Sequence, residues 1–314
     1  MDYVNNLLKV SPSPHTHTNM TTQRIMLCVI TALLPASAAS VYFFGTRALL
    51  LIAICIISAV ISEQLCCTLM KKKSTVSDLS ACVTGLLLAL NLPATLPLWQ
   101  AALGSFIAIA VVKQLFGGLG QNFANPAITA RIVLMLSFTT QMTHWVKPFY
   151  WKDSADAVSS ATPLVTGNAS YYDLFTGNVG GCIGETSAAA LLIGGIYLII
   201  RKIISPSAPL AFIGTVALFS FITGGDPLYQ ILSGGLFIGA FFMATDYATT
   251  PVTEKGRVIF GIGCGIITFV IRKYGNFPEG VSFSILIMNI ITPYIDSFTR
   301  TKVFGAVKEE KADA

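Results

Sequence analysis

Residues 25–44 read IMLCVITALLPASAASVYFF, and residues 48–69 read ALLLIAICIISAVISEQLCCTL. The first stretch has no charged side chain and the second has only Glu63. An α-helix rises about 1.5 Å per residue, so a segment near 20 residues crosses a hydrocarbon core of roughly 30 Å. Each stretch is therefore long enough to span a bilayer.

The same texture recurs along the chain. Of 314 residues, 54% are apolar and 11% charged, whereas a soluble domain carries about a quarter charged residues. That balance excludes an ordinary cytosolic globule, a disordered chain and a secreted disulfide scaffold. Hydropathy with Gly, Pro and charge punctuation predicts ten spans: 25–44, 48–69, 78–92, 99–116, 126–142, 186–204, 208–223, 229–245, 257–274 and 280–297. The predicted fold class is an all-α polytopic membrane protein. Several spans have only 15–18 residues, which makes half-helices or re-entrant segments an expectation. The N-terminal MDYVNNLLKVSPSPHTHTNMTTQR has no apolar core of a cleavable signal peptide, and its His15 and His17 read as tail residues, not as a metal pair.

Charge sets an orientation. With a cytoplasmic N-terminus, five of the twenty basic residues fall on the far side: Arg47, Lys147, Lys152, Arg272 and Lys273. The other fifteen, with Lys71-Lys72-Lys73 and Arg201-Lys202 among them, fall on the cytoplasmic side. The positive-inside bias thus predicts both termini in the cytoplasm and loop 143–185 outside. The net charge of +5 reports this topology and not nucleic-acid binding. The predicted parts are a cytoplasmic tail 1–24, a first membrane repeat 25–142, an extracytoplasmic loop 143–185, a second repeat 186–298 and a cytoplasmic tail 299–314.

A repeat underlies this division. Pro97-Leu98-Trp99-Gln100 with Gly104 matches Pro227-Leu228-Tyr229-Gln230 with Gly234, an offset of 130. Each copy opens a Gly-rich span that ends in a polar break with proline, Asn122–Asn125-Pro126 and Thr249-Thr250-Pro251. Five predicted spans on each side of the loop imply halves of opposite topology, an inverted repeat, with the polar breaks near mid-membrane. Asp246, at the end of an apolar span, is a candidate ion-pathway carboxylate; the competing reading is an interfacial helix cap.

The seven cysteines, Cys28, Cys55, Cys66, Cys67, Cys82, Cys182 and Cys264, make no C-x-x-C pair and read as buried apolar residues. The informative part of the loop is Asp156-Ala157-Val158-Ser159-Ser160-Ala161-Thr162-Pro163-Leu164. It is a hydroxyl-rich turn before a proline, with no His or Cys nearby to serve a nucleophile and no metal-ligand cluster. No phosphate-binding glycine motif occurs in the chain. These residues alone leave the chain an unassigned, transporter-like protein.

DAVSSATPL resembles the D-x-x-[ST]-G-A-T flavinylation motif of the RnfD and NqrB family of membrane proteins. SPSPHTHT at 11–18, GGLGQNFANPA at 117–127, IGETSAAALLIGG at 183–195 and FFMATDYATTPVTEKGRVIFGIGCG at 241–265 are similar to that family in the same order. The chain departs from the common pattern at Ser160, where Gly is more frequent, and at Tyr247, where Pro often follows the Asp. Its compact length looks more like the RnfD branch.

The resemblance implies that Thr162 carries FMN through a phosphoester bond, with Asp156, Ser159, Ser160 and Ala161 as the rest of the cofactor-binding motif. It also implies a non-covalent riboflavin and residence in the cell membrane, while the ten-span inverted repeat itself resembles the urea-transporter fold. The implied partners are other Rnf complex subunits (integral membrane, extracytoplasmic flavin and cytoplasmic NAD-side) and, during maturation, a flavin transferase acting outside the cytoplasm. The implied role is electron transfer within a ferredoxin:NAD+ oxidoreductase that moves Na+ or H+. Small side chains at the acceptor suit entry into a transferase, and the aromatics Trp145, Phe149, Tyr150, Trp151, Tyr171, Tyr172 and Phe175 could wall a flavin. The alternatives are an NqrB-like part of a Na+-translocating NADH:quinone oxidoreductase, or a urea-transporter-like channel or secondary transporter.

Overall fold

The computed structural model describes residues 20–152, 162–275 and 280–300. Among them the chain is helical without a strand, and one isolated antiparallel bridge joins Pro93 to Cys182. Helices α1 (Thr22–Phe44) and α2 (Thr46–Leu69) come from the two stretches that decide the fold class. Gly45 turns the chain between them at φ +69, and a Cβ there would stand 2.9 Å from the Trp151 ring, so only glycine fits.

Helix α3 (Ser80–Leu90) has 11 residues, about half the length a bilayer demands. Helix α4 (Leu98–Phe106) continues as a π-helix over Ile107–Gln114. Helix α5 (Pro126–Ser137) is capped by Asn125, whose Oδ1 accepts from the N–H groups of Ala127 (3.0 Å) and Ile128 (3.4 Å). The predicted fifth span, 126–142, breaks at Phe138 and resumes as the single turn Thr139–Met142. The loop that follows contains two short helices, Pro163–Thr166 and Tyr171–Thr176.

The second half runs through α6 (Ala188–Ile200), α7 (Ser207–Ile222), α8, α9 (Glu254–Tyr274) and α10 (Val281–Thr299). Helix α8 is broken into Pro227–Leu232, Leu236–Ile238 and a π-helix Gly239–Met243, because Ser233-Gly234-Gly235 interrupts it and Gly234 lies at φ +68. The predicted span 229–245 is thus discontinuous.

By length and composition α1, α2 and α10 can each cross a membrane. Leu27, Leu34, Ile57, Ile61, Leu65 and Phe221 lie exposed on outward helix faces, which suits a chain whose outer solvent is lipid. Inside, helices approach through small residues. A Cβ at Gly194 of α6 would come within 2.1 Å of the Ala32 carbonyl oxygen in α1. Gly261 and Gly265 of α9 likewise bring α7 close, at Ala208 and Thr215.

The half-length helices α3 and α6 meet at their broken ends. Ile183 N–H donates to the Leu92 carbonyl (3.0 Å) and Gly184 N–H to the Leu90 carbonyl (2.8 Å). Irregular backbone is thereby hydrogen-bonded inside the molecule, the condition for its survival away from water. Both segments that open with Pro-Leu-aromatic-Gln end in a π-helix, but one is the fourth element of its half and the other the third. The 130-residue match marks a shared local device and does not by itself pair the halves five to five.

Candidate functional site

Three polar assemblies interrupt the apolar interior. The first surrounds Thr162. Its backbone is extended (φ −66, ψ 154) ahead of Pro163, and Gly167 at φ +67 closes the turn. Thr162 is 4% exposed, so the acceptor expected on an open loop is covered. It faces a recess of only about 10 Å³, walled by Leu174, Gly180, Gly181, Glu185 and Gly234. Asp156, Ser159, Ser160 and Ala161 lie outside the described residues.

Two tyrosines fasten this turn to α8. Tyr229 donates its O–H to the Pro163 carbonyl (2.7 Å) and accepts from Ala169 N–H (3.4 Å). Tyr171 donates to the carboxylate of Asp226, which also caps α8 through Leu228 N–H (3.0 Å) and Tyr229 N–H (3.2 Å). The hydrogen bond from that phenol holds the Asp226 carboxyl below its ordinary 3.8, and the same bond raises Tyr171 above its ordinary 10.0. Of the aromatics expected to wall a flavin, Trp145 is buried, Phe149 and Tyr150 are half-buried, and Trp151, Tyr171, Tyr172 and Phe175 are exposed.

Behind the recess lies a buried ionic group. Arg131 of α5 is 3.8 Å from Glu185 and donates to Asn91 Oδ1 (2.9 Å), Ser282 Oγ (2.9 Å) and Cys182 Sγ (3.4 Å). Glu185 Oε1 accepts from Cys182 N–H (3.1 Å). A Cβ at Gly235 would sit 2.5 Å from Glu185 Oε2, so the glycine pair of α8 makes room for this carboxylate.

The second assembly is a cavity of about 360 Å³, within the range of small-molecule sites, lined by both predicted polar breaks. Asn122 and Asn125 come from the first half, and Thr245, Asp246 and Ala248 from the second. Asn125 Nδ2 donates to the Met243 carbonyl across the halves (3.3 Å). The Asp246 carboxylate accepts from Thr249 Oγ1 (3.2 Å), and the Asn122 side chain faces it. The cap of α9 is Thr253, which accepts from Gly256 N–H (3.0 Å), so Asp246 does not cap that helix.

The third assembly was missed by motif reading, although a charge within an apolar span was its signal. Lys113, on the cavity wall, bridges Glu63 Oε1 and Ser80 Oγ, each at 2.7 Å. Thr75 Oγ1 (2.7 Å) and Gln114 Nε2 (3.1 Å) also donate to Glu63 Oε1, while Oε2 accepts from no described group. The π-helix sets adjacent Lys113 and Gln114 toward one carboxylate. Cys28, Cys55, Cys67, Cys182 and Cys264 are buried as expected, Cys66 and Cys82 are partly covered, and no metal-ligand cluster occurs among the described residues.

Known proteins share this sequence over nearly its whole length. Residues 9–305 match the model of the NQR2, RnfD, RnfE family. The chain is 51% identical, over 97% of each chain, to the D subunit of the Na(+)-translocating ferredoxin:NAD(+) oxidoreductase complex of Acetobacterium woodii. It is 43% identical to the D subunit of the proton-translocating ferredoxin:NAD(+) oxidoreductase complex of Clostridium ljungdahlii, over 96% of this chain and 97% of that one. It is 36% identical to the D subunit of the ion-translocating oxidoreductase complex of Salmonella newport, over 95% of this chain and 99% of that one.

Proposed function

This chain belongs to the NQR2, RnfD, RnfE family, and from that premise we propose that it is the D-type membrane subunit of an ion-translocating ferredoxin:NAD+ oxidoreductase. The observation that carries the reading is the 51% identity to such a D subunit over 97% of both chains. In this reading Thr162 bears FMN by a phosphoester bond, and a second, non-covalent flavin occupies the cavity between the polar breaks. Two of these relatives are named for different ions, Na+ and the proton, so the proposal covers either. Other subunits of the complex and a flavin transferase are the partners of this reading.

The residues present suit these groups. A recess of about 10 Å³ cannot admit an isoalloxazine, so the ring belongs outside it, where Tyr171, Tyr172 and Phe175 expose aromatic surface. Thr162 and the glycines around it supply a small-residue anchor at the rim. Because Thr162 is covered, its hydroxyl has to leave the recess to be modified. Once attached, a flavin supplies one-electron carriage, and the chain's part is to hold it in place and exclude water. In the cavity, Asn122 and Asn125 offer amide groups and Asp246 a carboxylate, amid the apolar walls Val29, Leu87 and Phe242.

The inverted repeat is part of the proposal. It is supported by the packing of α2 on α4 and of α7 on α9, with α1 meeting α6 and α5 meeting α10 between the halves. The orientation, with both termini cytoplasmic and the Thr162 loop outside, rests on the basic residues. Lys113 and Arg131 lie buried within helices, so thirteen rather than fifteen remain as cytoplasmic flank charges; Arg272 is half-buried and bonded to Gln230, leaving four free charges outside.

The test is intact-mass measurement and in-gel flavin fluorescence of the chain purified from a host with the transferase. The expected result is one covalent FMN, lost in Thr162→Ala. That substitution removes a buried hydroxyl and methyl, so it costs about 1 kcal/mol and leaves an assembled complex. Absence of covalent flavin from the unaltered chain would sink the flavoprotein reading and favour a channel or transporter.

A further inference from the structure

Arg272 stands in the last turn of α9, beneath the turn that Thr162 opens. Its Nη1 donates to the Gln230 carbonyl (2.6 Å) and to Gln230 Oε1 (3.3 Å), and Nη2 donates to the Ser233 carbonyl (3.1 Å). These bonds close the end of the first piece of α8, which is an ordinary use of a cation. They give its charge no close partner: among the described residues the carboxylate that acts on it, Glu185, lies beyond ion-pair distance, and its buried Nε has no hydrogen-bond partner. Arg131, the fully buried guanidinium of this region, has its carboxylate in Glu185 at 3.8 Å, whereas Arg272 is half-buried. Two guanidiniums therefore meet one carboxylate around the recess.

The guanidinium reaches the Thr162 turn because Gly234 stands between them. A Cβ at Gly234 would lie 2.7 Å from Leu164 Cδ1 and 3.2 Å from Arg272 Nη2, so these two side chains share one thin wall. Leu164 follows Thr162 by two residues. A half-buried cation without a close counter-ion is costly, and a phosphodiester, with one negative charge and two free oxygens, is the complement of a planar guanidinium.

We infer that Arg272 is the phosphate-binding residue of the covalent flavin site. The inference rests on the reading of Thr162 as the acceptor. Arg272 is a positioning residue: it holds the phosphoester at the recess and thereby fixes the stalk from which the ring extends.

The experiment uses the purified complex with its flavins. Arg272→Gln removes the cation, and Gln230→Glu keeps it but sets a carboxylate where Oε1 already touches Nη1. Both should retain flavin on Thr162 by intact mass, yet lose the slow component of the covalent flavin's fluorescence anisotropy decay and shift its phosphorus resonance. Leu228→Ala, an exposed change on the same piece of α8 that makes no bond to Arg272, should change neither. Where Arg272→Gln fails to accumulate, Gln230→Glu carries the test alone. Unaltered anisotropy and phosphorus resonance in Gln230→Glu overturn the role of Arg272 while leaving Thr162 as acceptor. Covalent flavin persisting in Thr162→Ala overturns the acceptor reading itself, and the inference with it.

Discussion

Tyr229 donates its phenolic O–H to the carbonyl of Pro163 at 2.7 Å, so a helix of the second half holds the turn that follows Thr162. The same oxygen accepts from Ala169 N–H at 3.4 Å. Tyr229→Phe deletes both bonds and keeps the ring, at a cost of about 1 kcal/mol per bond. Amide exchange over residues 163–176 should accelerate while the membrane helices keep their protection. Exchange indistinguishable from the unaltered chain would show that the turn is held by other contacts.

The neighbouring bond from Tyr171 to Asp226 predicts a dependence on pH. The Asp226 carboxyl is held below 3.8, so its contribution is present above that ordinary value and disappears as pH falls through the depressed one. Tyr171 is raised above 10.0, so its contribution is present below that value and disappears as pH rises through the raised one. A spin label at Asn168→Cys should therefore report constant mobility between 3.8 and 10.0 and a looser loop at acid pH. Asp226→Asn, which still caps α8, should abolish the acid transition. A transition that survives in Asp226→Asn belongs to another group.

The buried pair of Glu63 and Lys113, 2.7 Å apart and 0% and 3% exposed, should behave asymmetrically under substitution. Lys113→Met leaves a carboxylate uncompensated inside the helices and should destabilise by about 3–5 kcal/mol. The double variant Lys113→Met/Glu63→Gln removes both charges and should recover much of that loss. Thermal unfolding in detergent reads both. Equal destabilisation in the single and double variants would mean that packing, not charge, sets the cost.

Asp246, on the wall of the 360 Å³ cavity, should matter for transport and not for flavin attachment. Asp246→Asn keeps the shape and the acceptor for Thr249 but removes a charge that low dielectric makes hard to replace. Ion-coupled electron transfer in reconstituted vesicles should fall while covalent FMN stays. Unchanged turnover and pumping would assign Asp246 a purely structural place.

The solvent of this protein and its local devices were legible in the sequence. Segments 25–44 and 48–69 become helices because their length and lack of charge leave no alternative in a bilayer. The polar breaks at Asn122–Pro126 and at Asp246 were also visible as interruptions of apolar runs. Their meeting around one cavity, the joining of α3 to α6 through Leu90 and Gly184, and the pairing of Glu63 with Lys113 were decided by tertiary structure. So was the cover over Thr162, an acceptor that entry into a transferase would leave open, and the approach of Arg272 to its turn across Gly234. The physical reason is range. Caps and hydropathy act over a few residues or one helix, whereas the burial of a hydroxyl or a guanidinium depends on which distant helix closes over it, and that follows only from how all the helices pack together.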